Sequence, residues 1–469
     1  MQKSSPLIYL IVALFIFSCS ATLNPNDYGH QDYSDPHDPE LSSTVLGIYN
    51  EKGEPSLNLN VDINSKSLIY RLQNTSMVAR AVVNIKLINV ESKKTITKKY
   101  KIRIKHPLST GMNNLGTYKL DKQYKLPAGD YKVQVALTDK NSGEKANLEN
   151  STSIPRASTK KPILTNIRLS GFNSERQEYQ TVNRYNVPAS LDTLKFIVSI
   201  SVPEGLEEPL QMTSTLFNFA SDTMASRPIG DADYSTSSIQ YKGVNYYQKE
   251  IIRSSSRKLI NKGNISVEYK YTSLERGNYR FRAQLLESEI VGEQNSSKDF
   301  AVRSKNFPLL KTPHERAQSM AYLMDDKEHK ELLSIKNSDS LQNAIDSFWY
   351  TNIGDITKAQ NAKSQYFDRV LTANKEFTNF KEGWKTDQGM VFILFGNPWV
   401  IDKDFETKTW FYSYNRLDED KTFEFFRTRV KNDSFPFKNY ILERKFDYNN
   451  VLYKQKRLWF TGQILETQI

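Results

Sequence analysis

The chain has 469 residues, a formal charge of +11 and a single cysteine. One cysteine excludes a disulfide framework within the chain and any cysteine-based metal cluster, and the length sets a prior of roughly three domains. The basic balance suits anionic partners and says nothing of the fold.

Residues 1–18, MQKSSPLIYLIVALFIFS, place Lys3 ahead of an apolar run from Leu7 to Phe17. That is the length of a secretory signal peptide and too short to span a bilayer. Cys19 follows at once. The sequence Ile16-Phe17-Ser18-Cys19 resembles the lipobox of bacterial lipoproteins. The resemblance implies cleavage before Cys19 and attachment of diacylglycerol and palmitate-type chains, which hold a protein on a membrane without a spanning helix. The alternative is a signal cleaved elsewhere, with Cys19 lost. Residues 19–42 carry five acids and no Lys or Arg. Such composition predicts a disordered acidic tether. Removing Lys3 with the leader leaves +10, and setting the tether aside puts the remaining body near +15.

From 43 to 157 apolar and polar residues alternate, as in Leu57, Leu59, Val61, Ile63 and in Tyr131, Val133, Val135, Leu137. Period-two runs between turn residues predict a β-sandwich. LPAGDYKVQVALTD (126–139) is similar to LERGNYRFRAQLLES (274–288), with Gly129 and Gly277 at matching places. Both resemble the late hairpin strand of immunoglobulin-like and fibronectin-like modules, so a second sandwich is predicted over 158–305. Lys101, Arg103 and Lys105 share one face of a strand, which reads first as protection of a sheet edge and second as a docking site. The polar stretch from Ala220 to Gly243 reads as a long loop.

Beyond Phe307 the period changes, and 306–469 is predicted as an α+β domain with helices first and a mainly antiparallel sheet after. Thr312, Pro313 and Glu315 spell a capping box opening the first helix. A second helix is placed at 340–349 and a third from Thr357, with Gln360 three residues on. Strands are predicted at Met390–Phe395, Thr409–Tyr414, Thr422–Arg429 and through the aromatic-rich stretch from Tyr440 to Phe460.

Gly383-Trp384-Lys385-Thr386-Asp387, followed by Gly389 and by Gly396-Asn397-Pro398, resembles the GWxTD domain of Gram-negative envelope proteins. Phe348-Trp349 and RVLTANKEF (369–377) fit the same pattern, and the resemblance covers about 309–469. Asn361-Ala362 departs from it where an Asn-Glu pair is expected. The resemblance implies an envelope protein, frequently a lipoprotein with sandwich modules ahead of the named domain, and no particular reaction.

No HExxH, calcium loop, phosphate-cradling glycine loop or GxSxG elbow occurs. No histidine follows His329, so a Ser-His-Asp triad would need a base remote from the motif. Asp355, Asp387 and Asp402 are the candidate acids for a hydrolase acting on envelope polymer. Trp384, Trp399 and Trp410 are candidate stacking platforms for a glycan. In the structural reading, which the neighbours favour, Gly383 supplies a positive φ, Thr386 or Asp387 bonds free N–H groups, and Trp384 fills a gap between helices and sheet. Three triplets beginning at Asp192, Asp222 and Asp339 resemble acceptor sites for periplasmic O-glycosylation.

The expectation is a non-catalytic, lipid-anchored outer-membrane scaffold or accessory subunit with no cofactor and no metal. Its partners are the membrane through Cys19, a protein of the outer membrane or periplasm and, on the alternative reading, a surface glycan; nucleic acid is not expected. The sequence leaves open which side of the membrane the body occupies.

Overall fold

A computed structural model describes residues 28–30, 39–50, 52–108, 116–156, 161–206, 209–234, 243–286, 294–404, 406–428 and 439–466. The leader and Cys19 lie outside the described residues, and the expectations of cleavage and lipidation lie there with them. The chain is mostly β, with two stacked pairs of antiparallel sheets followed by a helical layer on a fifth sheet.

The first domain holds β1 (Tyr28–His30), β2 (Leu41–Tyr49), β3 (Pro55–Asn64), β4 (Arg71–Gln73), β5 (Ser76–Asn89), β6 (Thr95–Pro107), β7 (Thr117–Lys125), β8 (Gly129–Asp139) and β9 (Lys145–Ile154). One sheet runs β1-β2-β3-β7; the other runs β4-β5-β8-β9 with β6 on β5. The alternating residues decide the inner faces: Leu57, Leu59, Val61 and Ile63 of β3 meet Val133, Val135 and Leu137 of β8 in one core. Each such side chain contributes about 1.5–3 kcal/mol on burial. A one-residue slip would turn the whole set to solvent, so the register is strongly specified.

The predicted disordered tether needs correction in its middle and at its end. Tyr28–His30 pairs with Ser42–Thr44, and Leu41 and Ser42 are buried in β2. Composition missed this because strand pairing recruits backbone groups whatever the polarity of the side chains.

The second sandwich comprises β10 (Ile163–Leu164), β11 (Arg168–Asn173), β12 (Glu178–Thr181), β13 (Leu191–Val202), β14 (Leu210–Ser221), β15 (Val244–Leu259), β16 (Gly263–Thr272), β17 (Gly277–Leu285) and β18 (Gln294–Val302). Its sheets are β10-β13-β11-β12, with β16 on β13, and β15-β14-β17-β18. β8 and β17 hold equivalent places and share a device. Tyr131 donates its hydroxyl to Pro127 O at 2.9 Å, and Tyr279 donates to Glu275 O at 2.7 Å. Tyrosine bonding back four residues at a strand entry is the corner of immunoglobulin-type sandwiches.

The last domain opens with α1 (Pro313–Ser319), whose capping box between Thr312 and Glu315 is present as the sequence predicts. Then come α2 (Asp326–Ser334), α3 (Ser338–Ile353), α4 (Ile356–Glu376), α5 (Asp387–Phe395), β19 (Val400–Lys403), β20 (Thr407–Phe411), β21 (Thr422–Arg427), β22 (Tyr440–Leu442) and α6 (Tyr448–Phe460). The strands form one antiparallel sheet in chain order. α4 begins at Ile356, one residue earlier than predicted, because Asp355 and not Thr357 caps it, accepting from Lys358 N at 2.8 Å.

Two predicted strands are helices. Met390–Phe395 belongs to α5, and all six of these residues are buried. An apolar run of this length has no period to separate a covered strand from a buried helix, and the Thr386 cap decides for helix. In the stretch from Tyr440 to Phe460 only Tyr440–Leu442 is a strand. Val451, Gln455 and Trp459 recur every four residues on the buried face of α6. Among the described residues no helix is long and apolar enough to cross a membrane.

Candidate functional site

The Gly383–Asp387 motif sits where α4 turns back into α5. Gly383 is needed for space, which corrects the expected positive φ: a Cβ there would lie 1.8 Å from Ala373 O of α4. At Gly389 a Cβ would lie 1.9 Å from Gly383 O. These two glycines let a 3-10 turn and the first turn of α5 press against the end of α4. Thr386 then joins the pieces, donating to Gly383 O at 2.8 Å and accepting from Gly389 N at 3.0 Å as the cap of α5.

Trp384 is only 5% exposed. Its carbonyl accepts from the Tyr322 hydroxyl at 2.6 Å, and the two rings meet edge to face. Past the other end of α5, Gly396 takes φ +87° and its carbonyl accepts from Tyr412 at 2.9 Å. Arg369 donates to the carbonyls of Ile393 and Leu394, both at 3.1 Å, and so satisfies the buried C-terminal end of α5. Burial lowers its pKa to about 10. Pro398 is half-buried beside this turn.

Asp387 is the centre of the arrangement. Its Oδ2 accepts from Leu442 N at 2.8 Å and from Arg444 Nη1 at 2.9 Å, while Oδ1 accepts from Arg444 Nη2 at 2.8 Å and from the Ser226 hydroxyl. The Arg444 side chain is wholly buried. It also donates to the carbonyls of Pro228 and Arg227, at 3.1 Å each. Burial pushes the Asp387 carboxyl up; the Arg444 charge and the hydrogen bonds from Arg444, Ser226 and Leu442 outweigh it and hold the group below its ordinary value.

Ser226, Arg227 and Pro228 belong to the predicted long loop, of which residues 235–242 lie outside the described set. The rest is a strap from the second sandwich laid over the last domain. Asp222 accepts from Lys381 Nζ at 2.6 Å, Ile229 enters the core of the last domain, and Gly230 O accepts from Asn449. Beside the strap, Arg303 donates to Asn186 Oδ1 at 2.6 Å and Asn379 O at 2.8 Å, and Asn278 donates to Phe380 O at 3.0 Å. Burial lowers the Arg303 pKa to about 10. The residues just before the motif are thus bonded into the second sandwich.

The arrangement offers little room for a reaction. The cavity bordering Thr386 and Asp387 holds about 30 Å³, the space of a water molecule. The candidate acids do not converge as a catalytic pair: Asp355 caps α4, Asp402 pairs with Arg416 at 3.1 Å on the surface, and Asp387 is saturated by its partners. Of the candidate platforms, Trp384 and Trp410 are buried, whereas Trp399 is 44% exposed and lies 4.2 Å from the Tyr414 ring. Among the triplet hydroxyls, Thr223 and Ser340 are exposed and Thr193 is half-buried in β13. Among the described residues no group of three or more His, Cys, Asp or Glu could hold a metal ion. Sequence reasoning missed Ser226, Arg303 and Arg444; only Arg444, a charge two residues past the apolar Tyr440–Leu442, left a local signal.

Residues 286–461 match the family model described as the GWxTD domain. The match starts ahead of β18, so it takes in the last strand of the second sandwich and Arg303. No curated protein matches the chain. Among solved structures, red sea bream transglutaminase is similar at 10% identity over 56% of this chain and 31% of its own, with a TM-score of 0.18. A Salmonella alpha-2-macroglobulin mutant is similar at 12% identity over 59% and 17%, with a TM-score of 0.19. Clostridium thermocellum CbhA fibronectin(III)-like modules are similar at 12% identity over 54% and 89%, with a TM-score of 0.16. The chain spans less than a third of the length of the first two. Likeness at this level carries no argument about activity, and the fold rests on the sheets themselves.

Proposed function

Because the chain contains a GWxTD domain across residues 286–461, we propose that it is a lipid-anchored, non-catalytic outer-membrane scaffold. Its sandwiches present that domain to a protein partner in the envelope. The observation that carries this reading is the Asp387–Arg444 pair with Ser226 across it. Asp387 is consumed in joining Arg444 to the strap of the second sandwich and Thr386 in capping α5, which leaves a stiff arm and no reaction cleft at the motif. A stiff arm with broad sheet faces holds partners at fixed separation, which suits an accessory subunit of a membrane assembly. Cys19, acylated, supplies the attachment.

The test is crosslinking and co-purification of the native acylated protein, with Cys19→Ser as the detached control. A reproducible envelope partner, reduced when Cys19 is replaced, is expected. Recovery of no reproducible partner from native membranes overturns the reading.

A second reading, binding of a surface glycan, is favoured by the cleft of about 580 Å³ between the two sandwiches. It is lined by amides and hydroxyls including Asn50, Asn166, Asn264 and Ser266, and the buried Asn58 Oδ1 at its wall accepts no hydrogen bond. Saturable glycan binding abolished by Asn58→Leu would favour this reading over the scaffold.

A further inference from the structure

The row of cations noticed on β6 is part of a larger basic surface. Lys99, Lys101, Arg103 and Lys105 all point outward and are exposed, at intervals of about 7 Å set by the strand repeat. The register places Arg103 directly opposite Arg80, and Lys86 lies further along the same face of β5. The outward positions of these two strands hold no carboxylate. Arg80 and Arg103 share one neutral acceptor, Gln73 Oε1, at 3.2 and 3.1 Å. Like charges directly opposite across a ladder are destabilising. Protection of a sheet edge needs a charge or two and does not require this pairing.

We propose that this face of the β5–β6 ribbon docks on the anionic headgroups of a lipid bilayer. Three observations select that occupant. The cations spread over the outward side of two neighbouring strands, from Arg80 to Lys86 on β5 and from Lys99 to Lys105 on β6, which fits a charged plane better than a single threaded ligand. The charge continues onto a third strand: Arg71, exposed on β4, pairs with Val78 and so shares the face of Arg80. Finally, only eight residues lie between Cys19 and Tyr28. Fully extended they reach about 30 Å, so an acylated Cys19 keeps the first sandwich near the membrane. This proximity rests on the anchor proposed above; the charge pattern does not.

The test uses the chain from Ser20 onward, which keeps every described residue and carries no acyl group. It is sedimented with vesicles of phosphatidylcholine alone or with about one third phosphatidylglycerol. Binding to the anionic vesicles only is expected, weakening steeply with salt. Lys99→Gln, Lys101→Gln, Arg103→Gln and Lys105→Gln together should weaken it by up to roughly a thousandfold, at about fivefold for each basic residue lost. The control, Lys311→Gln, Lys327→Gln, Lys330→Gln and Lys336→Gln, removes the same charge from exposed sites in the last domain and should leave binding within about twofold. No vesicle binding, equal loss in both variants, or binding of soluble polyphosphate without binding of vesicles each overturns the proposal. Because the acyl group is absent, membrane attachment through Cys19 alone would leave the scaffold reading standing and remove this one.

Discussion

Replacing Asp387 by asparagine keeps the shape of the side chain and removes its charge, so it tests whether the motif acid holds the fold or serves a ligand. The carboxylate now accepts two bonds from Arg444, one from Leu442 N and one from Ser226. An amide has a single acceptor oxygen, and its NH₂ must face one of these donors, while the wholly buried guanidinium loses its counter-charge. Breaking a buried pair from one side costs about 3–5 kcal/mol, a large part of the 5–15 kcal/mol typical of a domain. All five tryptophans (Trp349, Trp384, Trp399, Trp410 and Trp459) lie in the last domain, so their fluorescence in urea reports that unit alone. The variant should unfold at markedly lower urea, and Asp387→Leu with Arg444→Met should recover part of the loss, since the second change removes the stranded charge. The wild-type carboxyl has a folded pKa below its unfolded value, so its contribution is present above about pH 4 and is lost as pH falls through the folded pKa. Asp387→Asn should therefore flatten the acid limb of the stability curve. Unchanged urea unfolding together with loss of a partner or ligand would refute the reasoning and make Asp387 a binding group.

Gly383→Ala forces a methyl group into Ala373 O, and neither backbone segment is free to retreat. A loss at or above the 1–3 kcal/mol range of overpacked cores is expected in the same assay, and wild-type behaviour would contradict the close approach. Trp410→Ala should cost about 3–5 kcal/mol and Trp399→Ala under about 1, given that Trp410 is fully buried and Trp399 is not. Glu376, at the end of α4, is half-buried and has Glu40 of the first domain as its neighbour, with Arg184 and Lys375 also near. Burial first, then the Glu40 charge and hydrogen bond, push its pKa from 4.5 up to about 8. The folded chain then holds a proton that the unfolded chain has released, so stability is full below pH 4.5 and declines as pH rises to about 8. Glu376→Gln should abolish that decline, measured as the urea midpoint against pH; an unaltered pH profile would argue against a shared proton at this contact.

What the sequence displayed and what it hid follow from the range of the interactions. Alternation in β3 and β8 and the capping box at Thr312 are local, and the sandwiches and α1 were legible from them. The αβ character of the last domain was also legible, but α5 was not, because an apolar run without period carries no sign of its own geometry. Arg444 is 218 residues from Ser226 and 57 from Asp387. No spacing rule spans such separations, so the sequence shows Asp387 and the local signal of Arg444 but not that they pair.

That separation also explains why the motif reads like an active site. Glycine, threonine and aspartate crowd together at catalytic loops because tight turns and exposed polar groups are useful there. Here the same residue types solve a packing problem: Gly383 and Gly389 permit contact with α4, Thr386 closes the cap, and Asp387 bonds Arg444 together with the strap. A buried carboxylate with four donors is stable only when all four are in place. Ser226 is the one donor of the four that comes from the second sandwich, so the full set is met only when that sandwich and the last domain are docked. The motif makes the relative position of two domains part of its own hydrogen-bond satisfaction, so a change that lifts the strap, such as Ile229→Ser in the core of the last domain, should loosen the Asp387 contacts and the tryptophan-bearing domain together.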